Sequence, residues 1–259
     1  ALHAATRTFS DPYAGLADIV AGVLRTPFPP ERSFSDDPLR MMRAARFTSQ
    51  LGLDPVPEVE EAMTAMADRI EIISAERVRE ELVKLVCGAH PRAGLDLLVR
   101  TGLADHVLPE LPALQLESDE HHRHKDVYEH SLIVLEQAID LEGPREGAAE
   151  EVPHRDLVLR LAALLHDIGK PATRRFEDGG RVSFHHHDVV GAKLTRKRLR
   201  ALRYSKDQVE AVSKLVDLHL RFHGYADVMG ADSEQGWTDS AVRRYVRDAG
   251  DQLERLHIL

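Results

Sequence analysis

Two adjacent residues, His166 and Asp167, carry the side chains best suited to chemistry in this sequence. They follow residues 157–165, a segment that is apolar at almost every position, as expected of a helix buried on most sides. Burying an imidazole and a carboxylate is costly unless both are satisfied, and a metal ion satisfies them together. The pair therefore indicates a metal site at the end of a buried helix.

Three further histidines stand at predicted helices on either side of this pair. His130 opens an amphipathic helix, His187 precedes another, and His219 lies within a third. The buried helix itself ends at a Gly-Lys-Pro run that contains Lys170. A single histidine is more often a surface or core residue than a ligand, so only the order of these residues favours a shared site.

This order resembles the HD superfamily of metal-dependent phosphohydrolases over about the second half of the chain. The resemblance implies metal ligands from separate helices, at the matching positions His130, His166, Asp167, His187 and His219. It also implies a divalent metal, with Mn²⁺, Ni²⁺, Mg²⁺, Zn²⁺ and Fe²⁺ all open, and a bridging water that attacks phosphorus. Lys170 matches the lysine of the family's motif, and we expect it to neutralise a phosphate as a catalytic residue.

The family pattern ends with an aspartate late in its last helix. Asp248 and Asp251 are the candidates within this chain. The alternative is an aspartate beyond Leu259.

The first third of the chain has a different signature. Asp36 and Asp37 stand with Pro38 at a predicted helix start, and Arg40 follows one turn later. With the Asp-Pro-Tyr-Ala-Gly turn at 11–15 and the segments 73–77 and 102–111, this region is similar to the tRNA nucleotidyltransferase and poly(A) polymerase family. Together with the HD pattern, the chain resembles bacterial CCA-adding enzymes of class II.

In that family the acidic-acidic-x-x-Arg element reads the incoming base, which implies this role for Asp36, Asp37 and Arg40. A carboxylate accepts from the exocyclic amine that C and A share, and a guanidinium donates to the ring acceptors. Three residues apart on one predicted helix, Asp37 and Arg40 would lie side by side. The alternative is a capped helix with an ion pair. Arg43 and Arg46 either support the nucleotide or are solvated.

The catalytic head of that family contains a Gly-Ser pair and an Asp-x-Asp pair that holds Mg²⁺. This sequence contains neither pair. The resemblance therefore implies a remnant of the head at 1–30, a helical neck at 31–115 and an all-helical HD domain at 116–259. We expect a piece of a longer protein, and we do not expect this chain alone to transfer nucleotides.

A basic stretch follows His187 and is the best candidate for contact with RNA phosphates. Its predicted RNA-binding residues are Lys193, Arg196, Arg198 and Arg200. The alternative is a solvated helix face.

Composition sets the class of protein. Of 259 residues, 43% are hydrophobic, 30% charged and only 5% aromatic, which predicts a mainly α fold. The net charge of −9 argues against a protein that coats nucleic acid with its whole surface. One cysteine excludes an internal disulfide, and the absence of a signal peptide or a long apolar run predicts a cytoplasmic protein without a membrane partner.

Three functional hypotheses follow. The first is the neck and HD portion of a CCA-adding enzyme, with tRNA, ATP and CTP as partners and Mg²⁺ in the missing head. The second is a freestanding HD phosphohydrolase acting on a phosphomonoester or cyclic nucleotide. The third is a non-catalytic helical RNA-binding fragment.

Overall fold

The chain divides into two units, Ala1–Val107 and Leu108–Leu259. The computed structural model describes residues 6–7, 10–116, 126–142, 155–177, 181–226 and 238–259. Helices predominate in these ranges, which confirms the predicted mainly α class. No helix within them is both long and apolar enough to cross a membrane.

The first unit is a set of short helices with one small parallel sheet. Its α-helices are α1 (Gly15–Val20), α2 (Pro30–Asp36), α3 (Leu39–Leu51), α4 (Pro57–Ala65), α5 (Ala75–Val86), α6 (Pro91–Arg100) and α7 (Leu103–Val107), with a 3₁₀ helix at Ala67–Ile72. Strands β1 (Val23–Leu24) and β2 (Asp54–Pro55) pair in parallel. The pairing joins the first 30 residues to the helices that follow. The domain limits at 30 and 115 stay a prediction.

Helix α3 forms the centre of this unit. Its buried face includes Met41, Met42 and Ala45, and it packs against α5 and α6. It ends at Gly52, whose left-handed conformation (φ 65°) terminates helices readily because glycine lacks a Cβ.

The second unit surrounds a buried helix. Its α-helices are α8 (Val127–Asp140), α9 (Leu157–Leu165), α10 (Lys170–Thr173), α11 (His187–Ala201), α12 (Lys206–Ala226), α13 (Asp239–Ala249) and α14 (Leu253–Ile258), with 3₁₀ helices at Pro112–Leu114 and Gly250–Gln252. Strands β3 (Arg175–Glu177) and β4 (Arg181–Ser183) form an antiparallel hairpin. Helix α9 packs against α8 and α12, and α11 packs along α12.

A buried ion pair holds the start of α9. Arg160 donates to both carboxylate oxygens of Glu142, each at 2.7 Å, and the two side chains are only 4% and 3% exposed. Glu142 also accepts from the backbone amide of Asp156. The carboxylate of Asp156 in turn accepts from Arg255 of α14 at 2.7 Å. This network joins the end of α8 to α9 and to the C-terminal helix.

We predict that Arg160→Leu lowers the free energy of unfolding by about 3–5 kcal/mol, because it leaves Glu142 buried without its cation. Chemical denaturation followed by circular dichroism measures this change. The matched control is Arg100→Ala, which breaks an equally bidentate pair with Glu60 whose side chains are 45% and 31% exposed. Its cost is expected to stay below about 1 kcal/mol. Equal costs for both variants would contradict the role given to burial.

Candidate metal and nucleotide sites

His166 and Asp167 lie where the buried helix α9 ends. The carboxylate of Asp156 caps the start of this helix by accepting from the amides of Val158 and Leu159, both at 3.1 Å. Every residue from 159 to 165 is buried, as the apolar sequence predicts. The chain turns immediately after α9, and this turn places the imidazole and the carboxylate inside the unit.

The Asp167 carboxylate is surrounded by four imidazoles from four segments. Its Oδ2 lies 3.1 Å from Nε2 of His166 and 3.8 Å from Nε2 of His130. Its Oδ1 lies 3.2 Å from Nε2 of His187 and 3.9 Å from Nε2 of His219. The structure therefore brings together all five residues predicted as metal ligands. They form two overlapping groups with ligand spacing, one containing His130 and His166 and the other His187 and His219.

Three of these histidines are oriented in the same way. In each, Nδ1 lies within hydrogen-bond distance of the backbone carbonyl three residues earlier. The pairs are His166 with Ala163 at 2.8 Å, His187 with Phe184 at 2.8 Å and His219 with Val216 at 2.7 Å. A carbonyl only accepts, so it selects the tautomer with the proton on Nδ1 and leaves the Nε2 lone pair directed at Asp167. This arrangement is typical of metal-binding histidines.

Two buried nitrogens at the centre lack hydrogen bonds. Nε2 of His187 and Nε2 of His219 have no hydrogen-bond partner among the described residues. In the tautomer selected by the carbonyls, each is an acceptor that faces another acceptor, the Asp167 carboxylate. A cation between them would satisfy all of these atoms at once. The residues present therefore fit a divalent metal.

The pKa shifts of the site residues agree with metal binding. Burial by itself would raise the pKa of Asp167, but hydrogen bonds from His166 and His187, which require a proton on Nε2, and the charge of Lys170 outweigh it and lower the pKa far below its ordinary value. A metal cation in place of those protons would favour the ionised carboxylate in the same way. Burial lowers the pKa of His219 to about 4. At neutral pH the site therefore presents an ionised carboxylate and a neutral imidazole at His219, which are the forms that bind metals.

Lys170 lies beside the carboxylate. Its Nζ is 2.6 Å from Oδ2 of Asp167 and 5.7 Å from the centre of the Phe184 ring. The side chain is 20% exposed, so it borders both the metal ligands and solvent. Its role toward a phosphate stays a prediction.

A close backbone approach positions His187. A Cβ at residue 169 would lie 2.1 Å from the carbonyl oxygen of His187 and 2.6 Å from the amide nitrogen of Gly191. Only glycine permits this contact between the turn after α9 and the first turn of α11. The sequence shows Gly169 as a helix terminator, and its second role is visible only in three dimensions.

The acidic pair of the first unit is placed differently from the expectation. Asp36 is the last residue of α2 and is exposed, and Asp37 follows in an extended conformation (φ −150°) before α3 begins. Asp37 and Arg40 therefore do not share a helix, and that expectation is wrong. The carboxylate of Asp37 accepts from the Leu39 amide at 3.2 Å and from Arg77 at 3.3 Å.

Arg40 borders a cavity of about 320 Å³. Its guanidinium donates to the carbonyl and the hydroxyl of Ser33 at 3.1 and 3.0 Å, which fixes its direction. Arg43, Phe28 and Phe47 also line the cavity. Phe28 was missed by the motif analysis, although an aromatic side chain within a proline-rich segment could have indicated it.

Arg46 is neither solvated nor part of this cavity lining. It donates to Glu81 at 2.6 Å and to Gln50 at 2.7 Å, and its guanidinium lies 4.0 Å from the centre of the Phe47 ring. Its side chain is 13% exposed. These contacts tie α3 to α5. Nucleotide support by Arg46 stays a prediction.

The basic stretch predicted to bind RNA lies on α11 and includes Lys193, Arg196, Arg198 and Arg200. Glu210 accepts from Arg196 at 3.4 Å and from Arg200 at 3.3 Å. Glu110 accepts from Arg198 at 2.7 Å. Three of the four cations are thus paired within the unit, and RNA binding by this stretch stays a prediction.

The two candidates for the final aspartate lie outside the histidine cluster. Asp248 pairs with Arg221, and Asp251 accepts from the side-chain amide of Gln252 at 3.0 Å. Neither belongs to a group with metal-ligand spacing among the described residues.

Comparisons with known proteins agree with this geometry. The HD domain family matches residues 127–256, half of the chain. The family described as the probable RNA and SrmB-binding site of polymerase A matches residues 52–114.

The chain is also similar to named tRNA nucleotidyltransferases. The chain is 37% identical to the A-adding tRNA nucleotidyltransferase of Deinococcus radiodurans, over 83% of this chain and 48% of that protein. It is 35% identical to the CC-adding tRNA nucleotidyltransferase of Thermus thermophilus, over 73% of this chain and 43% of that protein. The chain therefore spans about half the length of the curated relatives it matches.

Solved structures share the fold. The CCA-adding enzyme of Bacillus stearothermophilus in complex with CTP superposes with a TM-score of 0.58 at 23% identity, covering 96% of this chain and 48% of that one. Over both units the chain is similar to part of the tRNA nucleotidyltransferases, and it belongs to the HD domain family.

Proposed function

We propose that this chain is part of a tRNA nucleotidyltransferase that adds C and A to the tRNA 3′ end from CTP and ATP, with Mg²⁺ held in the catalytic head. The observation that carries the proposal is the similarity to A-adding and CC-adding relatives across both units. The chain supplies the neck and the HD domain. In this proposal the head that performs the transfer is not part of this chain.

The proposed role of the neck in nucleotide binding depends on the cavity that Arg40 borders. The guanidinium has five N–H donors, and the two contacts with Ser33 involve only Nη1. Remaining donors are available to the ring acceptors of a base, and Phe28 and Phe47 supply aromatic surface beside it. Arg77 holds the Asp37 carboxylate at the start of α3, where it can accept from an exocyclic amine.

We predict that Arg40→Ala, made in the complete gene product, lowers kcat/KM for CTP and ATP by at least about tenfold, because a charged hydrogen bond to the base is lost. Incorporation of labelled CMP and AMP into a tRNA that lacks its last three nucleotides measures this. The control is Arg69→Ala, which removes the same charge from a guanidinium bound to Ser35; it is expected to change activity less than twofold. An upstream reading frame without Gly-Ser and Asp-x-Asp pairs would contradict the proposal.

A second candidate function is supported by the unpartnered Nε2 atoms that face Asp167. We propose that the HD domain is a metal-dependent phosphohydrolase for a phosphomonoester or cyclic nucleotide. A bound metal would supply Lewis acidity and an activated water. The four imidazoles and single carboxylate favour Fe²⁺, Ni²⁺ or Zn²⁺ over Mg²⁺, which prefers oxygen ligands.

The side chains have separable tasks in this second function. His130, His166, Asp167, His187 and His219 would hold the metal. The backbone carbonyls behind His166, His187 and His219 keep their Nε2 lone pairs directed inward. Lys170 lies at the solvent side of Asp167, where its ammonium can neutralise a phosphate oxygen as the ester is hydrolysed.

We predict that His219→Ala weakens binding of Ni²⁺ or Zn²⁺ by about 10–100-fold or more, since it removes a buried neutral ligand. Metal content after dialysis and the metal-induced rise in melting temperature measure this loss. The control is His185→Ala, which removes an imidazole that is 73% exposed and is expected to change neither quantity. If the unaltered chain bound no metal and hydrolysed no bis(p-nitrophenyl) phosphate, the phosphohydrolase proposal would be wrong.

A further inference from the structure

The β3–β4 hairpin connects two parts of the histidine–aspartate site. It begins shortly after Lys170 and ends shortly before His187. In its register Phe176 is opposite Val182. Arg174 immediately precedes β3 and Phe184 immediately follows β4, so both residues lie at the end of the hairpin nearest Lys170 and His187.

In this region two cations each lie beside an aromatic ring. We define the hairpin face as Lys170, Phe184, Arg174 and Phe176. The Lys170 ammonium lies 5.7 Å from the centre of the Phe184 ring, and the Arg174 guanidinium lies 4.7 Å from the centre of the Phe176 ring. Phe176 is 69% exposed, a large apolar surface for a short hairpin in water.

The opposite face of the hairpin has a different character. Arg175 and Glu177 alternate with Phe176, so they point away from the hairpin face. The Glu177 carboxylate lies 3.5 Å from Nε2 of His185. This side carries charges of both signs, from Arg175 and Glu177, whereas the charged members of the hairpin face are both cations.

We infer that the hairpin face binds single-stranded RNA, with a base stacked on Phe176 and the backbone phosphates near Arg174 and Lys170. Aromatic rings interleaved with cations suit single strands, because every base has a π face and every nucleotide carries a phosphate. The presence of two cation–aromatic pairs rather than one favours a strand over a free nucleotide. The inference goes beyond the second proposed function, which concerns the metal ligands and does not require a strand on the hairpin.

The test is binding of a fluorescein-labelled RNA octamer to the full chain, measured by anisotropy in EDTA so that hydrolysis plays no part. Phe176→Ala and Arg174→Ala are each expected to weaken binding at least about fivefold. Arg175→Ala removes the same charge from the opposite face and is expected to change binding less than twofold. Crosslinks from a 4-thiouridine octamer are expected in the peptide that contains Phe176.

Several results would overturn the inference. Equal losses for Arg174→Ala and Arg175→Ala would indicate only general charge attraction. Unchanged binding by Phe176→Ala would exclude stacking, and AMP binding as tight as that of the octamer would exclude a strand as the occupant. Metal-dependent hydrolysis with no face-specific RNA binding would refute this inference and leave the phosphohydrolase proposal intact. Face-specific RNA binding without hydrolysis would support this inference and contradict the phosphohydrolase proposal.

Discussion

The second unit depends on one buried anion, the carboxylate of Asp167. A carboxylate that is 2% exposed is tolerable only if positive or hydrogen-bonding groups surround it. Here the Lys170 ammonium of α10 pairs with it, and four imidazoles from α8, the turn after α9, α11 and α12 surround it and can share a cation with it. The packing of these helices against one another is therefore also what assembles the site.

This dependence explains features that seem unrelated when each helix is considered alone. Arg160 and Glu142 fix the first turns of α9, while Gly169 allows the turn after α9 to touch the start of α11. His219 lies within α12, where burial keeps its ring neutral. Each feature helps to hold a predicted metal ligand beside the same carboxylate, so a displacement of any of these segments would separate the ligands.

The first unit shows how tertiary contacts separate residues that look equivalent in sequence. Arg40, Arg43 and Arg46 recur every three positions, but a helix has 3.6 residues per turn. Each step of three therefore rotates the side chain by about 60°. Arg40 and Arg43 border the cavity, whereas Arg46 has turned toward Glu81 of α5. Arginines that recur every three positions therefore differ in their surroundings.

Local pattern in the sequence determined the mainly α class and the buried helix α9, because apolar periodicity and residue type act over a few positions. The resemblance to the HD superfamily implied the five residues that could hold a metal. The tertiary structure decided that Asp37 precedes α3, that Glu210 and Glu110 pair with arginines of α11, and that the hairpin presents an aromatic face. Such contacts join residues up to 88 positions apart, as between Arg198 and Glu110. Their formation depends on how whole helices pack, and no local spacing encodes that.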